Sequence, residues 1–187
     1  MKKLISIFII LFLTISSLLA QNSYREKGTI GIDGGIGLSA ISTFSSDYSL
    51  VVPPVKVDVG YTVLSVGAFS LSVGGYFSLG VDRVKFSDYN YQYDSNLTMN
   101  FTQFLVGPMG NVRYALSDNF DIFGKLIFGF YGIAGASDIL VSNVRGSGVG
   151  GGAFVGGTWY FSPKMGVGAE FGAGGPTRLG VHLTFKI

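Results

Sequence analysis

His182 is the only imidazole in a chain of 187 residues that has no cysteine. Zinc sites built from several imidazoles or thiolates, iron–sulfur clusters and disulfide frameworks are therefore excluded. His182 alternates with Arg178, Thr184 and Lys186, against Leu179, Val181, Leu183 and Phe185 on the other parity. It belongs to the polar face of its segment. A catalytic histidine needs a nucleophile within hydrogen-bond reach, and a lipid-modifying His–Ser hydrolase would carry both on the apolar face. His182 has the wrong parity for that, so no catalytic residue and no metal ligand is expected. Gly35-Ile36-Gly37-Leu38-Ser39-Ala40 fits a dinucleotide fingerprint, with Asp58 about twenty residues on. That motif must open a helix, and Ser39 to Ser49 reads as a polar loop, so no cofactor is expected.

The same parity runs along most of the chain. In Val55 to Val63 the odd positions are apolar and the even ones polar or small, and Phe69 to Asp82 repeats the pattern. A period of two means strands with two different faces, whereas helices need a period of 3.6. The 29 glycines also oppose helix. The alternation predicts eight strands, at 28–39, 54–64, 68–83, 99–116, 119–135, 148–161, 165–174 and 178–187. Short turns fall near 65–67, at Ser117-Asp118 and at Ser162-Pro163-Lys164, with longer polar loops at 40–53, 84–98 and 136–147. An even strand number with short turns at one end and long loops at the other is the pattern of a bacterial outer-membrane barrel. The expected fold is all-β, an eight-stranded antiparallel up-and-down transmembrane barrel.

In such a barrel the Val, Leu, Ile and Phe parity faces lipid, and the Gly, Ser, Thr and charged parity faces the lumen. Tyr61, Phe69, Tyr114, Phe120, Trp159, Phe161 and Phe185 cluster toward the short-turn end, as an interfacial girdle does. The soluble alternative is a secreted barrel with these residues turned inward. Lumen parity collects Asp33, Lys56, Asp58, Asp82, Arg113, Asp121, Lys125, Glu170, Arg178, His182 and Lys186. Eight strands enclose a space only wide enough for their own side chains, so these charges are expected to pair and plug the lumen. Pairing Ala173 with Leu179 across Gly174-Gly175-Pro176-Thr177 sets Glu170 opposite His182 and Met165 opposite Ile187. Asp33, Asp58, Lys125, Glu170 and His182 are then expected in one polar cluster. Tyr89, Tyr91 and Tyr93 alternate in the 84–98 loop and form either a contact surface or an outer aromatic belt.

Lys2 and Lys3, the apolar run Leu4 to Leu13 and the small-residue end at Ala20 read as a signal peptide over 1–20, with the barrel over 21–187. Losing Lys2 and Lys3 from the 13 basic residues balances the 11 acidic ones. A neutral chain lacks the Lys/Arg excess that nucleic-acid binding draws on.

Through Gly157-Thr158-Trp159-Tyr160-Phe161-Ser162-Pro163-Lys164-Met165-Gly166-Val167-Gly168-Ala169-Glu170-Phe171-Gly172 and the end Leu183-Thr184-Phe185-Lys186-Ile187, the chain resembles the small outer-membrane β-barrel family of the OmpA/OmpX type, the porin-family barrels of Bacteroidetes-like bacteria. The resemblance implies localisation in the bacterial outer membrane and contact with its lipid. It also implies recognition by the barrel-insertion machinery, through a final strand that here carries its aromatic at Phe185. The expected role is structural or surface-interacting, as a monomer with an extracellular partner. The alternatives are a narrow channel for ions or small solutes and, less favoured, a lipid-modifying enzyme.

Overall fold

A computed structural model describes residues 25–39, 48–86, 97–137 and 144–187. The signal peptide expected over 1–20 and the tyrosines Tyr89, Tyr91 and Tyr93 lie outside them. The described chain forms eight strands: β1 (Ile30–Ser39), β2 (Tyr48–Val66), β3 (Phe69–Phe86), β4 (Leu97–Ser117), β5 (Phe120–Ser137), β6 (Val144–Tyr160), β7 (Met165–Ala173) and β8 (Thr177–Lys186). Each pairs antiparallel with the next, and β8 returns to β1, closing the barrel. Closure leaves no strand edge within the wall that the ladders cover, as a bilayer requires.

The alternation sorts the faces as expected. Val57, Phe77, Ile122, Phe128, Val155 and Leu183 stand outside, while Asp33, Lys56, Asp58, Arg113, Lys125, Glu170 and His182 are buried inside. So broad an exposed apolar belt is stable against hydrocarbon and costly against water. The soluble alternative, with apolar side chains turned inward, is not the observed arrangement.

Two walls differ in height. Strands β7, β8 and β1 have 9, 10 and 10 residues, whereas β2 to β6 run from 17 to 21. Nine residues at ~3.4 Å each, tilted ~40°, rise ~23 Å, close to the ~25 Å apolar band of such barrels. The longer strands must rise beyond it. The last β6–β7 pair on the loop side is Ala153 with Ala173, so Val144–Gly152 continues upward paired to β5 alone. Sequence patterning shortened these strands: it left 48–53 and 144–147 in loops, yet β2 starts at Tyr48, with Pro53-Pro54 unpaired at a shift in the β2–β3 register, and β6 starts at Val144.

The last hairpin differs from the expected register. Phe171 pairs with Leu179, Glu170 with Gly180, Gly168 with His182, and Met165 with Phe185. The expected pairing of Glu170 with His182 and of Met165 with Ile187 is therefore two residues out. Gly174 (φ 95°) and Gly175 (φ 74°) both occupy left-handed backbone, which only glycine enters freely. They reverse the chain within Gly174–Pro176, so β8 begins at Thr177. A shift of two keeps side-chain parity, which is why the faces are right although the partners are not.

Candidate functional site

The lumen holds the chain's concentrated chemistry. Asp33 on β1 meets Asp58 on β2 across the ladder, and Thr184 on β8 flanks Asp33 on the other side. Like charges side by side require counterions from across the barrel, and two networks supply them.

The lower network, nearer the short turns, is built around Arg113 on β4. Its Nη2 donates to Asp33 Oδ2 at 2.8 Å, and its Nη1 donates to Asp121 Oδ1 at 3.0 Å and to Thr158 Oγ1 at 3.1 Å. Thr184 Oγ1 donates to Asp33 Oδ1 at 2.6 Å, and Tyr160 Oη to Asp121 Oδ2 at 2.9 Å. Arg25, just before β1, reaches in as a further cation, 3.7 Å from Asp33. Gly31 leaves the room for it: a Cβ there would stand 1.9 Å from Arg25 Nη1. Lys186 Nζ lies 3.7 Å from the Tyr160 ring centroid.

The upper network alternates sign. Lys125 Nζ stands 2.5 Å from Asp58 Oδ2 and 3.4 Å from Glu170 Oε2, and Lys56 Nζ is 2.5 Å from Glu170 Oε1. Phe123 separates the two networks, with the Arg113 guanidinium 4.7 Å and the Lys125 ammonium 5.5 Å from its ring centroid. Pairing of this kind is what makes buried charge tolerable, since an isolated ion there would be costly.

His182 sits between the networks without joining either carboxylate chain. Thr158 Oγ1 is 3.5 Å from its Nε2, and its ring meets Phe123 edge-on at 5.6 Å. Of the five residues expected in one cluster, Asp58, Lys125 and Glu170 share a network. Asp33 belongs to the other, and His182 touches that one through Thr158.

Above these two networks lies a largely apolar layer, with the buried hydroxyl residues Ser78 and Thr177 at its side. Tyr76, Leu105, Met109, Ile127 and Phe154 form a buried cluster, with Tyr76 and Phe154 stacked at 6.2 Å. Higher still, Tyr131 Oη donates to Gln103 Oε1 at 3.0 Å, and Gln103 Nε2 to Asp82 Oδ2 at 2.8 Å. Sequence reasoning collected the charges but overlooked this apolar layer. Its signal was present, because Leu105, Met109 and Ile127 share odd parity with Gln103, Asn111, Arg113 and Lys125. Arg25 gave no such signal, since it precedes the alternating pattern. One lumen assignment is corrected: Arg178 is displaced from the lumen by a bulge, and Thr177 turns inward instead.

No protein-family model and no curated protein matches the sequence. Solved structures do. The N-terminal β-barrel domain of Pseudomonas aeruginosa OprF aligns over 87% of this chain and 100% of its own, at 11% identity and a TM-score of 0.51. Ail, the attachment invasion locus protein of Yersinia pestis, aligns over 86% and 100% at 15% identity and a TM-score of 0.48. A de novo designed transmembrane β-barrel aligns over 88% and 99%, at 16% identity and a TM-score of 0.44. The chain has the fold of the small eight-stranded outer-membrane barrels. At these identities the likeness concerns architecture alone.

Proposed function

We propose that this chain is a monomeric integral protein of the bacterial outer membrane, exported by its 1–20 leader, that acts without catalysis as a surface-interaction protein. One observation carries the reading: five strands rise past the short wall and leave a sheet edge on the loop side that is unpaired among the described residues. The first residues of β6, Val144–Gly150, pair with β5, and no described residue pairs with their other edge. At Gly151 and Gly152 the β7–β8 turn closes in around Gly174. The free stretch contains no proline and a single charged residue, Arg145, and Gly146–Gly150 carries none. Natural edges are usually blunted by such residues, and an unblunted edge accepts an added strand. The counterpart edge on β2 carries Pro53-Pro54.

The lumen supports this reading over the channel alternative, because the ion networks and the apolar layer fill its cross-section with side chains. His182 supports it over the enzyme alternative, since its polar neighbour is Thr158 and its flank is Phe123. The test compares attachment to protein-coated surfaces by bacteria displaying the chain, displaying Ser147→Lys with Val149→Lys, or displaying neither. Val149 is 74% exposed, so lysine there leaves the fold intact. The expected result is attachment that rises with display and falls to background in the lysine variant. Equal attachment by all three overturns the surface-interaction reading.

A further inference from the structure

The bulge that opens β8 has placed a cation on the membrane face. Ser39 pairs with Thr177 and Leu38 with Leu179, leaving Arg178 as the extra residue. Bulges re-aim side chains, and here Thr177 turns into the lumen while Arg178 heads a groove on the outer wall. That groove, about 480 Å³, runs between β6, β7 and β8 and is lined by Ala153, Val155, Phe171 and Ala173. Ala153 and Ala173 oppose each other and form its low floor, and the next opposed pair on this face, Val155 and Phe171, 61% and 64% exposed, stands up beyond them. Arg178 has no carboxylate partner among the described residues, and its Nε is shut off from solvent without a hydrogen bond. Strand β7 just spans the apolar band, so its end at Ala173, and Arg178 beside it, lie at the rim on the loop side.

We propose that this groove binds one phosphate-bearing lipid of the outer leaflet, with an acyl chain along Ala153 and Ala173 and the phosphate on the Arg178 guanidinium. A guanidinium offers paired donors that match phosphate oxygens, and the small floor admits a methylene chain that a larger side chain would exclude. The occupant is a lipid rather than a protein, because this face belongs to the short wall that the bilayer covers to its rim. The inference rests on the membrane placement of the barrel and is independent of the free β6 edge.

The test uses the purified full barrel in nanodiscs containing equal minor fractions of phosphatidic acid and of diacylglycerol with the same chains. Native mass spectrometry then counts the lipids retained on release. The expected result is retention of one phosphatidic acid in preference to diacylglycerol by roughly tenfold, about what one charge-assisted hydrogen bond supplies. Arg178→Gln should abolish the preference, Arg178→Lys should keep part of it, and Ala173→Phe should remove the retained lipid. Gel mobility before and after boiling confirms that each variant is folded. Equal retention of the two lipids by the native barrel, or an undiminished preference in a folded Arg178→Gln variant, overturns the proposal. Failure to insert into the discs at all would instead overturn the membrane placement.

Discussion

The imidazole of His182 lies over Gly168, the residue directly opposite it on β7, where a Cβ would stand 2.4 Å from Nε2 and 2.6 Å from the Gly157 carbonyl oxygen. The vacancy at Gly168 is what lets a ring occupy this level of the lumen. Gly168→Ala should therefore force either the ring or the β6–β7 ladder to move, at a cost of ~1–3 kcal/mol. Gly110→Ala places a methyl group where nothing lies within 4 Å, and should change stability by less than ~0.5 kcal/mol. Denaturant unfolding of the refolded barrel, followed by tryptophan fluorescence, measures both. Equal midpoints for the two variants would show that His182 is not held by that contact.

Parity made the faces legible. Once Val55, Val57 and Val59 are set outside, Lys56 and Asp58 must point inward, and that reasoning needs no knowledge of distance. Partners were not legible, because a two-residue shift leaves every parity unchanged. The register hangs on Gly174 and Gly175, whose left-handed backbone cannot be distinguished in sequence from other glycines of the chain. Arg178 escaped for a related reason: a bulge breaks the alternation on which the assignment rested. Arg25 escaped because it reaches the lumen from outside any strand. The apolar layer was the one feature that the alternation did contain, hidden among polar neighbours of equal parity.

Arg113 bridges Asp33 and Asp121 with its two terminal nitrogens. Removing it by Arg113→Met leaves both carboxylates without their main cation, and should cost ~3–5 kcal/mol. Adding Asp33→Asn and Asp121→Asn to that variant should restore most of the loss, since the buried charge goes too. Denaturant titration of the single and triple variants checks this. A triple variant no more stable than the single would show that the pairs are not what Arg113 contributes.

Phe154 stacks on Tyr76 in the apolar layer and is 2% exposed. Phe154→Ala should destabilise the barrel by ~3–5 kcal/mol, the usual cost of removing a buried ring. Phe128→Ala, on the outward face and 68% exposed, should cost much less. A reversed order in unfolding experiments would mean that the layer is not packed as described.

Closed barrels keep their ladder hydrogen bonds in detergent, so the unboiled protein should run at a different position from the boiled protein in SDS gels. Identical migration, with the protein recovered in the soluble fraction, would contradict a membrane barrel.

The plugged lumen is tested most directly by single-channel recording of the refolded native barrel in a planar bilayer. With Arg113, Lys125 and their carboxylates paired below a layer of Leu105, Met109, Ile127 and Phe154, insertion should leave the current at baseline. Stable, stepwise ionic conductance from barrels of confirmed gel mobility would contradict the closed lumen and restore the channel reading.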